Sequence, residues 1–307
     1  MQETNKRIDI ISLGVLNVDF VMEAGDKKIG EKILGKRMTM HAGGHGTSLS
    51  VASSRSGVES AAIGMVGKDS FGYEIINTLE KEQVNHSLIQ ENKQESTGLA
   101  TITIRNEMDN LYIDFPGANF NLRAEDILLF SKQISQARMI QIHLHTAIMK
   151  PAIQLIKLAN ELHIPIVIIP ATNDIKEFPT FNVDYLILTK TNSRSLCKFP
   201  VDNIRDARLA STMFIRNVNK AIIFQLDEKG VYLATKDKMT LLDTCPEATI
   251  LDKSGMIDFF CGVFSAELIK GTNLEEAVIK AHKASMLCGK MVGVYEAFPS
   301  KETLASL

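Results

Sequence analysis

Several features that mark specialised protein classes are missing from this chain of 307 residues. It contains no tryptophan and only four cysteines. Because no two of the cysteines form a CxxC pair, neither a disulfide framework nor a cysteine-based zinc site is predicted. We expect buried, inert thiols in a reduced, cytoplasmic compartment. The cysteines are Cys197, Cys245, Cys261 and Cys288.

The chain also lacks a strong charge of one sign and a long apolar run. Its 34 Lys and Arg residues nearly balance its 36 Asp and Glu residues, for a net charge of −2, and no basic stripe is present. Nucleic acid is therefore not an expected partner. The longest aliphatic run, residues 164–169, is far shorter than the ~20 residues that span a bilayer, so no membrane partner is expected either.

What the sequence does contain is an alternation of short apolar runs with amphipathic segments. Such runs are typical of parallel strands that are buried on both faces of a sheet. The alternation predicts an α/β fold with a doubly wound, mostly parallel sheet flanked by helices. The predicted strands are residues 8–14, 60–66, 138–144, 164–170, 184–189 and 220–226, and the helices between them include residues 69–82, 123–135, 149–162 and 202–217.

Two segments interrupt this alternation. Residues 16–40 contain no convincing helical pattern, and residues 97–115 have the pattern of a β-hairpin that turns at Glu107 to Asn110. We expect them to form a small β-sheet beside the α/β body, as a lid over a cleft. The prediction is one domain over residues 1–307, with a lid formed by about residues 15–40 and 97–115.

One further predicted helix, residues 255–270, is apolar on nearly every side, which is typical of a buried central helix. Asp258 lies in its first turn, where the helix dipole favours a negative charge. A carboxylate there can take a proton from a hydroxyl group while the N–H groups of the helix start hold a phosphate. The alternative is a structural role at the helix start, although Ser254 or Asp252 would be a better N-cap.

A glycine-rich segment, HAGGHG, precedes another helical pattern. Gly43 and Gly44 allow the backbone to approach a ligand closely, but they also suit an ordinary tight turn before a helix. The chain contains neither a GxGxxG motif nor a Walker P-loop. Four histidines have no cysteine or carboxylate partner at a metal-site spacing, so no zinc site is predicted from them. They are His41, His45, His143 and His145.

Five motifs occur in order along the chain. They are GVLNVDF (14–20), GGHGTSLSVASSRSG (43–57), GMVGKDSFG (64–72), PGAN (116–119) and LDKSGMIDFF (251–260). In order and spacing they resemble the signature motifs of the ribokinase-like (PfkB) family of carbohydrate and nucleoside kinases, over about residues 8–303. The resemblance implies transfer of a phosphoryl group from ATP to a hydroxyl of a sugar, sugar-like or nucleoside substrate, with Mg²⁺ and, in many members, K⁺.

The resemblance also implies roles for individual residues. Asp258 matches the catalytic base, and Asp252 matches a residue associated with a monovalent cation. Because the lid of relatives is often a dimer contact, a homodimer through the lid is expected. The residues that match substrate-binding positions are Asn17, Asp19, Gly43, Gly44, Ser48 and His143. Those that match nucleotide-binding positions are Gly255, Met256, Ile257, Asp227, Gly230, Asn192 and His282.

Several positions depart from the family pattern. Met256 and Ile257 replace Ala and Gly in the turn before the matched base, and a branched residue there is stiffer than glycine. Ser48, His45 and His143 replace Asn, Lys and Glu at substrate-binding positions. Two hypotheses follow. The first is an ATP-dependent carbohydrate kinase, which the retained base favours. The alternative is a catalytically impaired family member that binds a sugar or a nucleotide as a regulatory protein.

Overall fold

The structure, a computed structural model, describes residues 7–24, 32, 34–104, 111–170, 182–242, 250–291, 293–295 and 297–307. These residues form a nine-stranded sheet and a smaller, four-stranded sheet. In spatial order, the strands of the larger sheet are β13 (Met239–Leu242), β12 (Val231–Ala234), β11 (Val218–Gln225), β10 (Val183–Thr189), β9 (Ile166–Pro170), β8 (Met139–Leu144), β1 (Ile10–Leu13), β4 (Ser60–Gly67) and β5 (Asn85–Asn92). All neighbouring pairs are parallel except β11 with β12 and β12 with β13, so the predicted mostly parallel sheet is confirmed.

Helices connect most of the strands. In the described residues they are α1 (His45–Arg55), α2 (Ser70–Lys81), α3 (Ala124–Leu129), α4 (Ser131–Ile134), α5 (Met149–Glu161), α6 (Lys190–Cys197), α7 (Ile204–Phe214), α8 (Met256–Lys270), α9 (Leu274–Cys288) and α10 (Lys301–Ala305). The helix predicted over residues 123–135 is divided into α3 and α4. The division occurs at Phe130, whose backbone leaves helical geometry while its side chain packs against the core.

The larger sheet separates two apolar clusters, because successive side chains of a strand point to opposite faces. Ile11 belongs to one cluster, with Leu155 of α5, and its neighbour Ile10 belongs to the other. The second cluster contains Phe260 and Phe264 of α8, both fully buried, and each such side chain stabilises the fold by ~1.5–3 kcal/mol. The expectation that residues 255–270 form a buried central helix is therefore confirmed.

The smaller sheet is built from the two segments that interrupt the α/β alternation. Its strand order is β3 (Gly35–Gly43), β2 (Asn17–Ala24), β6 (Gly98–Ile104) and β7 (Leu111–Phe115). Strands β6 and β7 pair antiparallel, as the hairpin prediction requires, whereas β2 and β6 pair in parallel. The predicted turn at Glu107 to Asn110 lies outside the described residues.

The thiols that the structure describes follow the sequence prediction. Cys197, Cys261 and Cys288 are free and buried, and burial raises the pKa of each thiol. Cys245 lies outside the described residues. Within the described part of the chain, no helix combines the length and the apolar character needed to cross a bilayer.

Candidate active site

The start of α8 is an open helix N-terminus next to a buried carboxylate. Gly255 precedes the helix with φ 71°, and a Cβ there would lie 2.7 Å from the Phe298 ring, so the turn requires glycine. No side chain of the described residues caps this helix, which leaves N–H groups of its first turn able to bind an anion. Asp258 lies in that first turn with its side chain only 2% exposed.

Asp258 is covered by a histidine from the start of α1. His45 Nδ1 lies 3.0 Å from Asp258 Oδ2 and 3.1 Å from Oδ1. Partial burial lowers the pKa of His45, but the charge and hydrogen bond of Asp258, with the charges of Asp19 and Asp114, outweigh it and raise that pKa. The site therefore favours a charged His45 that donates its Nδ1 hydrogen to the carboxylate.

The two histidines that replace family residues lie against each other. The rings of His45 and His143 stack with their centroids 3.5 Å apart and their planes 8° from parallel. His143 is 5% exposed, and its Nδ1 has no hydrogen-bond partner among the described residues. Burial lowers the pKa of His143 well below its ordinary value, and the charges of His45 and His145 lower it further. His143 is therefore the neutral member of the stacked pair.

The predicted sugar-binding residues meet where β2 and β3 pair. Asn17 lies opposite Gly43, and Asp19 lies opposite His41. Gly43 leaves the space that the Asp19 carboxyl group fills, since a Cβ at this glycine would overlap that group. Gly44 follows with φ 78° as the N-cap of α1, and its N–H donates to Asp19. Burial and the charge of Asp114 raise the pKa of Asp19 to about 6, although His45 acts in the opposite direction.

Three further residues that were not predicted belong to this polar cluster, namely Asp114, Asn119 and His145. Asp114 on β7 accepts a hydrogen bond from Asn17 Nδ2 at 3.0 Å, and it pairs with His145 Nε2 at 3.2 Å. Asn119 donates to Asn17 Oδ1 at 3.0 Å and to the Leu16 carbonyl oxygen. The PGAN motif was a signal for Asn119. No sequence pattern identified Asp114, because its role depends on the pairing of the smaller sheet.

A cavity of about 200 Å³ is lined in part by the first turn of α8. Four of the predicted nucleotide-binding residues line it, namely Asp227, Met256, Ile257 and His282. Met256 is 6% exposed and packs toward Gly289, whereas Ile257 is only half-buried and forms part of the cavity wall without closing it. The branched side chain that replaces a family glycine therefore leaves a cavity beside the helix start.

Two lysines in this cavity were not predicted from the sequence. Lys253 Nζ lies 2.8 Å and Lys190 Nζ 3.2 Å from Asp227 Oδ2. Burial raises the pKa of Asp227, but its hydrogen bonds and ion pairs with the two lysines outweigh burial and lower it. Lys190 directly follows β10, and residues at the carboxyl ends of parallel strands commonly face ligands, so a signal was available.

The other predicted residues lie near these two regions without lining the cavity. Gly230 closes the tight turn after β11, with φ 103°. Asn192 is buried and caps α6, with its Oδ1 2.7 Å from Thr189 N and its Nδ2 3.1 Å from the Pro170 oxygen. Asp252 accepts from the N–H groups of Ser254 and Gly293. Ser48 is buried on α1, beside the Tyr295 hydroxyl.

Comparisons with known proteins agree with this architecture. A family model described as pfkB family carbohydrate kinase matches residues 7–301. The ribokinase of Haemophilus influenzae is 25% identical over 299 residues, covering 96% of this chain and 97% of that protein. The deoxyribokinase of Salmonella typhi is 24% identical over 300 residues, covering 96% and 97%. A structure of Arabidopsis thaliana ribokinase complexed with ribose and ATP has a TM-score of 0.86 at 20% identity, covering 98% of each chain.

Proposed function

Because this chain belongs to the pfkB family of carbohydrate kinases, we propose that it transfers the γ-phosphoryl group of ATP to a hydroxyl group of a sugar or a sugar-like molecule. The observation that carries this proposal is the position of one helix turn. The first turn of α8 holds Asp258 against the polar cluster of β2 and β3, through His45, and presents Met256 and Ile257 to the cavity. The N-terminus of α8 thus adjoins both the polar cluster, where the sugar would bind, and the cavity, where ATP would bind.

In this mechanism Asp258 is the base that takes the proton from the acceptor hydroxyl. A positioned general base contributes ~10²–10⁴-fold to a rate. Both carboxylate oxygens lie within hydrogen-bond distance of His45 Nδ1, so the acceptor hydroxyl must displace this ring or reach an oxygen beside it. The N–H groups at the uncapped start of α8 stabilise the negative charge of the transferring group.

The acceptor is bound by the polar cluster. The amide and carboxyl groups of Asn17 and Asp19 can bind vicinal sugar hydroxyls, and the glycines at 43 and 44 bring the backbone close to them. Ser48 and His143 complete the proposed substrate-binding set. Similar proteins are named ribokinases and a deoxyribokinase, so pentoses are the first substrates to test, followed by hexoses and nucleosides.

The residues that line the cavity support the proposed cofactors. ATP supplies the phosphoryl group, and the lysines at 190 and 253 provide positive charge where its phosphates would bind. Asp227 is the one carboxylate among the described residues that line this cavity, so Mg²⁺ would be held mainly by phosphate oxygens and water. Asp252 can offer oxygen atoms to K⁺, and dependence of the rate on K⁺ remains a prediction.

The smaller sheet is proposed to act as a lid on a single domain and as the contact of a homodimer. Its strand β7 is exposed along its length, and Tyr112 and Phe115 are 67% and 55% exposed. Exposed apolar surface of this kind is typical of interaction sites. A closed lid would exclude water from the phosphoryl donor and limit its hydrolysis. A cytoplasmic location is part of the same proposal.

The decisive experiment measures ADP release from ATP and Mg²⁺ across a panel of pentoses, hexoses, sugar acids and nucleosides. We expect turnover with at least one sugar and a loss of 10²–10⁴-fold in kcat for Asp258→Asn, the contribution of a general base. Asp206→Asn is the matched control, since Asp206 also lies in the first turn of a helix but on the distant α7. Absence of turnover with every acceptor, or full activity of Asp258→Asn, contradicts the proposal.

The alternative function is a regulatory protein that binds a sugar or a nucleotide without efficient transfer. One observation favours it, namely the His45 ring over the base. A thermal-shift assay with each ligand alone distinguishes the two functions. A ligand at 100 times its Kd adds ~2.7 kcal/mol of stability. Stabilisation by sugar or nucleotide without any turnover supports this alternative over the kinase.

A further inference from the structure

Three side chains from distant parts of the chain meet over the cleft. His45 begins α1, His143 lies on β8, and Asp258 lies in the first turn of α8. Each offers one nitrogen or oxygen ligand atom, and these atoms lie within 4.8 Å of one another. No carboxylate lies at a metal-site spacing from these histidines in the sequence. The fold supplies one instead, because Asp258 lies 213 residues after His45.

We propose that His45, His143 and Asp258 form a binding site for one divalent transition-metal ion, of which Zn²⁺ is the representative. Two imidazoles and one carboxylate are a ligand set that Zn²⁺ takes, with its fourth position left open. Nitrogen ligands also select transition ions over Mg²⁺, which requires oxygen ligands and retains water. The site is therefore chemically distinct from the Mg²⁺ that accompanies ATP.

The distances and the burial of the three groups support this site. Tetrahedral ligands at ~2.0–2.1 Å from Zn²⁺ are about 3.3 Å apart, close to the 3.0 Å between His45 Nδ1 and Asp258 Oδ2. An ion can bind both atoms in place of the Nδ1 hydrogen once the His45 ring turns its lone pair off the line between them. His143 Nδ1 is buried without a hydrogen-bond partner among the described residues. A buried polar atom of this kind is costly unless it finds a partner, and a ligand nitrogen of His143 lies within 4.8 Å of both a carboxylate oxygen of Asp258 and a ring nitrogen of His45.

One local movement completes the ligand set. The two imidazole rings now stack 8° from parallel, while the nitrogen lone pairs lie in the ring planes. Shared coordination requires the rings to open from this stack. The His45 side chain is 41% exposed and can turn, whereas His143 is held in the core. The ion would therefore enter from the cleft and draw the His45 ring toward it.

Occupancy of this site has a consequence that rests on the proposed function. A carboxylate that binds the metal ion cannot accept the proton of the acceptor hydroxyl. The ion would also occupy the place that the hydroxyl must reach. One bound Zn²⁺ is therefore expected to stop phosphoryl transfer, while Mg²⁺ at the phosphate side continues to support it.

Metal binding is measured on the whole chain without ATP or sugar, so its outcome does not depend on kinase activity. After treatment with a chelator, titration with Zn²⁺ by calorimetry and dialysis should show one bound equivalent. Titration with Co²⁺ should give the visible absorption of a four-coordinate ion with nitrogen and oxygen ligands. His45→Ala, His143→Ala and Asp258→Asn should each weaken Zn²⁺ binding at least tenfold, and Mg²⁺ should not compete.

His86→Ala is the matched control, because His86 pairs with Glu80 at the surface, 3.2 Å apart, away from the cleft. It should bind Zn²⁺ as the wild type does. Circular dichroism and thermal unfolding verify that each site variant folds, and Asp258→Asn keeps the size of the side chain if an alanine variant fails to fold. Absence of a stoichiometric ion, or unchanged affinity in the folded site variants, overturns the site. Full turnover with one Zn²⁺ bound overturns the inhibition, whereas absence of turnover without Zn²⁺ contradicts only the proposed function.

Discussion

The contact between Gly43 and Asp19 allows a sharp test of the sugar side of the site. A Cβ at Gly43 would overlap all three carboxyl atoms of Asp19, well inside the 3.0 Å that real Cβ atoms keep from their neighbours. The pairing of β2 with β3 fixes the backbone positions of Asp19 and Gly43. The Gly43→Ala variant can therefore form its native sheet only if the Asp19 side chain moves away.

The cost of this movement has two parts. Overpacking in a well-packed region costs ~1–3 kcal/mol, and loss of the hydrogen bond that Gly44 N–H donates to the Asp19 carboxylate costs a further ~1.5–3 kcal/mol. The sum is about 2.5–6 kcal/mol, which lowers the Tm by ~4–9 °C in a chain of this length. Because Asp19 no longer faces the cleft, sugar affinity should also fall at least tenfold.

Thermal unfolding and calorimetric titration with the sugar found in the turnover panel measure these two effects. Gly35→Ala is the matched control on the same strand, since the nearest atom to its Cβ would be the Glu23 oxygen at an ordinary 3.7 Å. Its free energy of unfolding should stay within ~0.5 kcal/mol of the wild type. A Gly43→Ala protein with the wild-type Tm and the wild-type sugar affinity would show that Asp19 does not need the space beside Gly43.

Three further predictions concern pH, a charged contact and assembly. Because the pKa of Asp19 is raised to about 6, its carboxyl group stabilises the fold below pH 4, and this contribution is lost as the pH rises through 6. Urea unfolding should therefore show that the wild type loses stability relative to Asp19→Asn between pH 4 and pH 6. Two guanidinium nitrogens of Arg55 donate to the Glu82 carboxylate, and a third donates to two backbone carbonyl oxygens near the C-terminus. A lysine cannot form all of these bonds, so Arg55→Lys should lower the free energy of unfolding, measured in urea, by ~2–4 kcal/mol. Replacing Tyr112 and Phe115 together by Glu should turn a dimer into a monomer by light scattering.

Each of these predictions has a control and a contradicting result. Parallel pH curves for wild type and Asp19→Asn would show that this carboxyl group does not carry the effect. Arg205→Lys, on the surface of α7, should change the unfolding midpoint little, and an equally small change for Arg55→Lys would count against the contact. Leu209→Glu, 57% exposed on α7, should leave the assembly unchanged, and a monomeric wild type would exclude the dimer.

Much of the fold could be predicted from local sequence. Apolar runs of strand length, separated by amphipathic helical segments, indicate a parallel sheet covered on both faces, and all six predicted strands are present in the larger sheet. Asp258 could also be assigned to the first turn of a buried helix. These features are local, since the spacing of apolar residues sets which face is buried and a residue's place in a helix follows from its neighbours.

The arrangement of the site could not be predicted in the same way. His45 and Asp258 are 213 residues apart, and only the packing of α1 against α8 brings them into contact. The same holds for Asp114, which meets Asn17 through the pairing of the smaller sheet, and for the two lysines that meet at Asp227. For a chain of near-zero net charge, the sequence indicated only the N-terminus of α8 as a place to bind phosphate. The structure adds two lysines in the neighbouring cavity.

Many strands and helices of this protein, their order and its family could therefore be predicted from local sequence, because hydrophobic periodicity and ordered motifs are carried by neighbouring residues. Tertiary packing sets which charges face one another and places the His45 ring over Asp258. It also brought two histidines and a carboxylate close enough to bind one ion. Those properties depend on distances between side chains that are far apart in sequence and meet only when α1 packs against α8 and the strands of the smaller sheet pair.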